Sequence, residues 1–138
     1  MSNTKAPYNI SSPTAALAQA ALTPSALETF HANVQTLLTN RLWLSSQLLA
    51  IDGTGEILGK PHANFLLVQI LDRTSLRPSN ARAKAAYLRL ATTEGVVVRF
   101  RGMEVGCEGC LRITVGTKGE CERVVERLRA VLAEDGGE

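Results

Sequence analysis

Two arginines inside apolar segments are the residues of this chain best suited to bind an anion. Arg99 lies in the segment 96–100 and Arg112 lies in the segment 110–115. An arginine within an apolar strand is costly unless its guanidinium reaches water or an anion. The planar guanidinium binds phosphate or carboxylate through two parallel hydrogen bonds. If the two segments pair as strands, both side chains can converge on one anion; the alternative is that both simply face solvent between apolar neighbours.

The cysteines and histidines predict neither a metal site nor a catalytic residue. Cys107-x-x-Cys110 has the most conspicuous spacing, but a zinc site needs about four ligands. The other candidate ligands are not in paired spacings: Cys121, His31 and His62. A thioredoxin-like pair opens a helix after a strand, whereas this pair precedes a predicted strand. We therefore predict structural or incidental cysteines, no metal ligand and no catalytic residue in this chain.

The strands that must position the two arginines are predicted from runs of apolar residues. Residues 96–100 read Val-Val-Val-Arg-Phe, and residues 110–115 alternate in polarity. The intervening residues 101–109 hold three glycines, so we expect the two strands to pair antiparallel around a long loop. A third strand is predicted over residues 64–71, a nearly continuous apolar run typical of a buried strand.

Four helices are predicted around these strands, each with a recognisable start. The N-caps are expected at Ser12, Thr23, Asn80 and Thr117, and a proline follows each of the first two. The second helix is long and reaches about Leu49, where Asp52-Gly53-Thr54-Gly55 is expected to turn the chain. The predicted order is helix, long helix, strand, helix, strand, strand, helix. This order indicates an α+β domain with a small, largely antiparallel sheet covered by helices.

Composition restricts the class of protein. The chain has 138 residues, 45% of them hydrophobic and 20% charged, which is typical of one globular domain. A net charge of +2 argues against a dedicated nucleic-acid or anionic-membrane binder. No stretch approaches the roughly 18 apolar residues of a membrane helix, and the first residues lack a secretory signal. Three cysteines fit reduced thiols in a cytosol-like compartment.

The charges are unevenly distributed along the chain. The only charged residues in 1–50 are Lys5, Glu28 and Arg41, and all other charged residues lie in 51–138. One interpretation is a surface made soluble by Ser, Thr, Asn and Gln. The other is that the first third packs against protein that is absent from this chain. Composition leaves both interpretations open.

Four segments resemble histidinol-phosphate aminotransferases, above all the fungal enzymes. They are Gly-Val-Val-Val-Arg-Phe at 95–100, Gly-Cys-Leu-Arg-Ile-Thr-Val-Gly-Thr at 109–117, Asn-Phe-Leu-Leu at 64–67 and Lys-Ala-Pro-Tyr-Asn-Ile-Ser-Ser-Pro at 5–13. They occur in the order expected for that family, and the similarity runs over nearly the whole chain. The segment around Arg112 is the most specific of them, because the Asn-Phe segment is shared more widely among aminotransferases.

The resemblance implies a fold, a cofactor and roles for both arginines. The fold would be the small C-terminal domain of aspartate-aminotransferase-like enzymes, over residues 51–138, with residues 1–50 as a helical segment that packs on a large domain. The family is dimeric and uses pyridoxal phosphate to move an amino group between glutamate and imidazole-acetol phosphate in histidine biosynthesis. By resemblance, Arg112 holds the substrate anion and Arg99 is a second arginine on its phosphate.

The lysine that binds the cofactor is not matched in this chain. Lys5 belongs to a segment that follows the catalytic lysine in the family. We therefore expect a cytoplasmic C-terminal portion of the enzyme, inactive alone, that binds its phosphorylated substrate and glutamate as part of an intact homodimer. The alternative is a non-catalytic anion-binding module or pseudoenzyme. No nucleic-acid or membrane partner is expected.

Overall fold

Residues 10–134 are described by a computed structural model, and within them the chain forms four helices and four strands. The predicted α+β class is confirmed. The start of the segment 5–13, Lys5 included, lies outside the described residues. In chain order the elements are α1 (Ser12–Ala21), α2 (Pro24–Leu49), β1 (Thr54–Leu58), β2 (Phe65–Ile70), α3 (Asn80–Thr92), β3 (Arg99–Phe100), β4 (Cys110–Thr114) and α4 (Lys118–Glu134).

The chain divides into two compact units, residues 1–36 and residues 37–138. In the described part of the first unit, α1 buries no residue, and its N-cap is Ser11, whose side chain accepts a hydrogen bond from the Thr14 N–H. The prediction of Ser12 as the cap was therefore wrong by one residue. Large apolar side chains of this unit are exposed, with Leu17 at 73% and Phe30 at 57% of their full accessible surface.

The second unit begins inside α2 and contains the sheet. Within it, α2 buries Asn40, Leu44 and Leu48. The strand order is β1-β2-β4-β3, and every pairing in this sheet is antiparallel. The expected pairing of the two arginine-bearing strands is confirmed. We did not predict β1, because its first two residues belong to a sequence typical of a turn.

That turn still forms, immediately before β1. Gly53 has a φ of +89°, a conformation that favours glycine. The Thr54 hydroxyl donates to the carbonyls of Leu48 and Ile51 at 2.7 and 2.8 Å, which closes the end of α2. Thr54 then pairs with Ile70, so one residue both caps the helix and starts the strand.

One face of the sheet is buried and the other is open. In β2 the residues alternate between half-buried and buried, with Leu66, Val68 and Ile70 in the core. Leu66 pairs with Ile113 of β4, so the two strands present apolar residues to the same side. The other buried residues of the core lie in the helices, in β4 and in the segments next to these elements: Leu44, Leu48, Ile51, Ala83, Ala86, Leu90, Val96, Val98, Leu111, Val115, Cys121, Val125, Leu128, Val131 and Leu132.

Two of our local predictions need correction in this region. The strand predicted over 96–100 is paired only at Arg99 and Phe100, because the N–H of Val96 donates to the Leu90 carbonyl at the end of α3. The N-cap of α3 is Ser79, whose side chain accepts from the Arg82 N–H, and not Asn80. The predicted capping box of α4 is present, with Glu120 accepting hydrogen bonds from both the N–H and the hydroxyl of Thr117 at 2.8 Å.

Candidate anion-binding site

Arg99 and Arg112 lie directly opposite each other on the neighbouring strands β3 and β4. Side chains at directly opposed positions of an antiparallel pair leave the same face of the sheet, with β-carbons about 4.5–5.5 Å apart. The structure thus brings together the two arginines that the sequence singled out. Two guanidinium groups that start from adjacent points can approach a single anion.

The period-two pattern of β4 explains why Arg112 faces the open side. Leu111 and Ile113 are buried in the core, so the residue between them must point to the opposite face. Leu67 of β2 pairs with Arg112 and is half-buried on that open face. Arg99 is exposed on the edge strand of the sheet, whereas Arg112 is half-buried on the neighbouring strand.

Phe65 of β2 lies beneath Arg112. The central carbon of the Arg112 guanidinium is 5.3 Å from the centroid of the Phe65 ring. A cation over an aromatic face gains about 0.5–1 kcal/mol where exposed and about 2 kcal/mol where desolvated. Phe65 pairs with Thr114, two residues beyond Arg112, which makes the two side chains diagonal neighbours on one face. This role of Phe65 was not predicted from the sequence; the available signal was the alternation of β2, which turns Phe65 away from the core when Leu66 is buried.

The site carries positive charge that the described residues do not neutralise. Neither Arg99 nor Arg112 forms an ion pair with any carboxylate among residues 10–134. The Nε atom of Arg112 is buried and has no hydrogen-bond partner there. Like charges directly opposite each other destabilise a sheet, and a buried unpaired donor costs about 1–3 kcal/mol. An anion between the two guanidinium groups would relieve the charge repulsion.

Arg41 has the other buried and unpartnered Nε atom in the described part of the chain. Its terminal nitrogen donates to the carbonyl of Ala63 at 3.1 Å. Ala63 immediately precedes the Asn-Phe segment, so Arg41 holds the entry to β2. Arg41 thereby helps to position Phe65, two residues after Ala63.

The long loop between β3 and β4 is held by Asn80. Its side-chain amide donates to the Gly102 carbonyl at 3.0 Å, and its side-chain oxygen accepts from the Gly109 N–H at 2.7 Å. Residue Arg101 continues the ladder, since its N–H donates to the Cys110 carbonyl at 2.9 Å. These bonds tie both ends of the loop and so fix the register that sets Arg99 against Arg112.

The described residues do not fit the Schiff-base chemistry of pyridoxal phosphate. Such a bond needs a lysine held in a cofactor pocket. Lys60, Lys84 and Lys118 are the lysines between residues 10 and 134, and all three are exposed. No group of three or more His, Cys, Asp or Glu residues within that range is arranged to hold a metal ion.

The remaining residues considered in the sequence are the histidines and the cysteines. His31 and His62 are exposed. All three cysteines are free thiols; Cys107 is half-buried, whereas Cys110 and Cys121 are buried. Burial and the neighbouring Cys107 thiol raise the pKa of Cys110 to about 11. Between residues 10 and 134, no helix is long and apolar enough to cross a membrane.

A family model and the curated relatives of this chain both indicate an aminotransferase family. The family model described as aminotransferase class I and II matches residues 1–128. A histidinol-phosphate aminotransferase of Schizosaccharomyces pombe is 47% identical over 135 residues, which are 97% of this chain and 35% of that protein. The protein of the same name from Candida maltosa is 41% identical over 128 residues, 93% of this chain and 32% of that protein. The chain thus spans about a third of the length of the curated relatives it matches.

A solved structure supports the same fold. A decarboxylase from Sulfurospirillum multivorans superposes with a TM-score of 0.77 at 20% sequence identity. The match covers 96% of this chain and 32% of that protein. At this identity the likeness concerns the fold alone.

Proposed function

Because this chain belongs to the class I and II aminotransferase family, we propose that it is the C-terminal portion of a histidinol-phosphate aminotransferase. In this proposal Arg99 and Arg112 hold the anionic group of the substrate. The whole enzyme moves an amino group between glutamate and imidazole-acetol phosphate. The observation that carries the proposal is the direct opposition of the two arginines on an open sheet face with no carboxylate partner among residues 10–134.

The two arginines would have different roles in binding the substrate. Arg112 is half-buried, and its guanidinium lies over the Phe65 ring. It would bind the phosphate of the phosphorylated substrate or a carboxylate of glutamate through parallel hydrogen bonds. Arg99 is exposed at the edge strand and would add a second fork to the phosphate, which carries more charge and more acceptor oxygens than a carboxylate. The pair would therefore favour the phosphorylated substrate.

Enzymes of this family generally use pyridoxal phosphate, and the proposed whole enzyme would hold that cofactor with residues other than those described. The cofactor supplies the electron sink for the amino transfer. The contribution of this chain is to bind and orient the substrate anion. The intact enzyme is proposed to be a cytoplasmic homodimer.

We propose that residues 1–50 pack against the large domain of such an enzyme and that residues 51–138 form its small domain. The exposed apolar side chains between Ile10 and Thr36 support this assignment, because a free surface seldom carries so many. They also favour the second interpretation of the charge-poor first third. The residues concerned are Ile10, Leu17, Leu22, Leu27 and Phe30.

A second candidate is a non-catalytic anion-binding module or pseudoenzyme. The observation in its favour is that every lysine between residues 10 and 134 is exposed. Such a module keeps the arginine pair and binds phosphate without amino transfer. The two candidates differ in whether the chain works as part of a transaminase.

A chimaera separates the two candidates. This chain replaces the matching C-terminal segment of the Schizosaccharomyces pombe enzyme, to which it is 47% identical. The chimaera is expressed in a yeast strain that lacks its own histidinol-phosphate aminotransferase and is plated without histidine. We expect growth, and we expect Arg112→Lys to slow or abolish it. Arg129→Lys, an exposed arginine on α4, is the matched control and should grow like the parent chimaera.

Two other outcomes would contradict parts of this proposal. A chimaera that accumulates at normal level but supports no growth, together with phosphate binding by the isolated chain, would favour the binding module. Growth that is indifferent to Arg112→Lys would show that the arginine pair has no part in the reaction.

A further inference from the structure

The Cys107 and Cys110 thiols have no part in the function proposed above, yet the fold brings them together in one turn. The N–H of Cys110 donates to the carbonyl of Cys107 at 3.0 Å, the hydrogen bond of a β-turn that spans four residues. Gly109 occupies the third position with a φ of +69°. A β-turn holds its first and last α-carbons within about 7 Å. Disulfides need a separation of about 4.4–6.8 Å, so this turn is compatible with one.

The two thiols differ in their access to solvent. Cys107 is half-buried at the end of a loop whose preceding residues, Val105 and Gly106, are exposed. Cys110 is completely buried, with 0% of its surface accessible. A small reagent in solution therefore meets Cys107 first, because Cys110 is shielded from solvent.

We infer that Cys107 and Cys110 form a reversible disulfide when the chain meets a low-molecular-weight disulfide such as glutathione disulfide. The Cys107 thiolate attacks one sulfur of glutathione disulfide, forms a mixed disulfide and releases one glutathione. Cys110 then attacks the Cys107 sulfur and releases the second glutathione. The protein loses two hydrogen atoms, and glutathione disulfide is reduced to two thiols that carry them.

Contacts from outside the turn hold its backbone in place. The Asn80 side chain accepts from the Gly109 N–H and donates to the Gly102 carbonyl. A β-carbon on Gly109 would come within 2.8 Å of the Ile70 carbonyl and the Ser79 nitrogen, so the turn fits closely against the sheet. The second step is an intramolecular reaction between two residues of one turn.

The ionisation of Cys110 sets the pH dependence of the second step. Burial, the charge of the neighbouring Cys107 and a hydrogen bond with it raise the pKa of Cys110 to about 11. Once Cys107 is in a mixed disulfide, the two contributions from its thiol disappear and only burial remains. The second step should accelerate as the pH rises from 7 to 9, because only the Cys110 thiolate attacks.

Peptide mapping gives a direct test with the full chain. Trypsin cuts after Arg101 and Arg112, so residues 102–112 form one peptide that contains both cysteines. Cys121 lies in a separate peptide, residues 119–123. The folded chain is treated with glutathione disulfide, free thiols are alkylated, and the peptides are weighed. We expect peptide 102–112 to lose two hydrogen atoms, to resist alkylation, and to recover both thiols with dithiothreitol.

Three variants assign the roles of the thiols. Cys110→Ala should retain one glutathionyl group on Cys107, and Cys107→Ser should leave the peptide unmodified. Cys121→Ala removes another buried thiol and should behave as the unaltered chain. A stable glutathionyl group on Cys107 of the unaltered chain, or a disulfide to Cys121, would overturn the inference. The unaltered chain alone decides this, so the test does not depend on the folding of a variant.

Discussion

Replacing Arg112 by lysine should selectively damage anion binding in the chimaeric enzyme. Lysine keeps the positive charge but has one nitrogen in place of the planar fork. The guanidinium carbon, 5.3 Å from the centroid of the Phe65 ring, is replaced by a smaller ammonium group. The charge of the site is thus unchanged while its geometry is lost.

The size of the effect follows from the hydrogen bonds that the variant loses. A hydrogen bond to a charged group contributes about 1.5–3 kcal/mol. Loss of one such bond in the transition state lowers kcat/KM about ten-fold to more than a hundred-fold. We expect Arg112→Lys to fall within this range for histidinol phosphate, since a single ammonium cannot replace both parallel bonds.

Arg99→Lys supplies the comparison, because its side chain is exposed at the edge strand. We expect it to lower kcat/KM more for histidinol phosphate than for glutamate. The assay is steady-state kinetics of both half-reactions for the chimaera and its two variants, with Arg129→Lys as the control for an exposed arginine. Small and equal losses for both substrates in both variants would refute the reasoning. They would mean that the arginines only face solvent.

Four further outcomes are expected from the chain itself. Gly109→Ala should lower the urea midpoint of unfolding more than Gly106→Ala, since both have positive φ but a β-carbon meets backbone atoms only at Gly109; equal losses would contradict this. Hydrogen bonds from Thr117 lower the pKa of Glu120 below its ordinary 4.5, so its stabilising effect is present above pH 4.5 and disappears as the pH falls through the lowered value. The stability difference between the chain and Glu120→Gln should shrink in that window when unfolding is measured at several pH values. Mixed with pyridoxal phosphate, the chain should show no saturable aldimine absorbance beyond that of a surface-lysine control, and a stoichiometric band would count against the proposed function. The exposed apolar residues of the first unit should bind a hydrophobic dye or cause self-association with rising concentration; a dye-silent monomer at all concentrations would contradict the proposed packing on a large domain.

Local patterns in the sequence were sufficient for most elements of the fold. Alternation over 110–115 predicted β4 and placed Arg112 opposite the face of Leu111 and Ile113, because successive side chains of a strand point to opposite sides. The capping box predicted the start of α4, because both of its partners lie within four residues. Such features depend only on neighbours in the chain, which is why sequence alone determined them.

Tertiary structure decided what depends on distant partners. Asparagine is a residue type that often caps helices, yet the Asn80 side chain hydrogen-bonds to the backbone of Gly102 and Gly109. The positions of these two glycines are set by the loop between β3 and β4. The strand order β1-β2-β4-β3 inserts β4 beside β2, and only this order puts the Phe65 ring beneath Arg112. The sequence determined that two arginines leave apolar strands. Pairing between strands far apart in the chain decided that they face each other, because register is a property of the whole sheet and not of either strand.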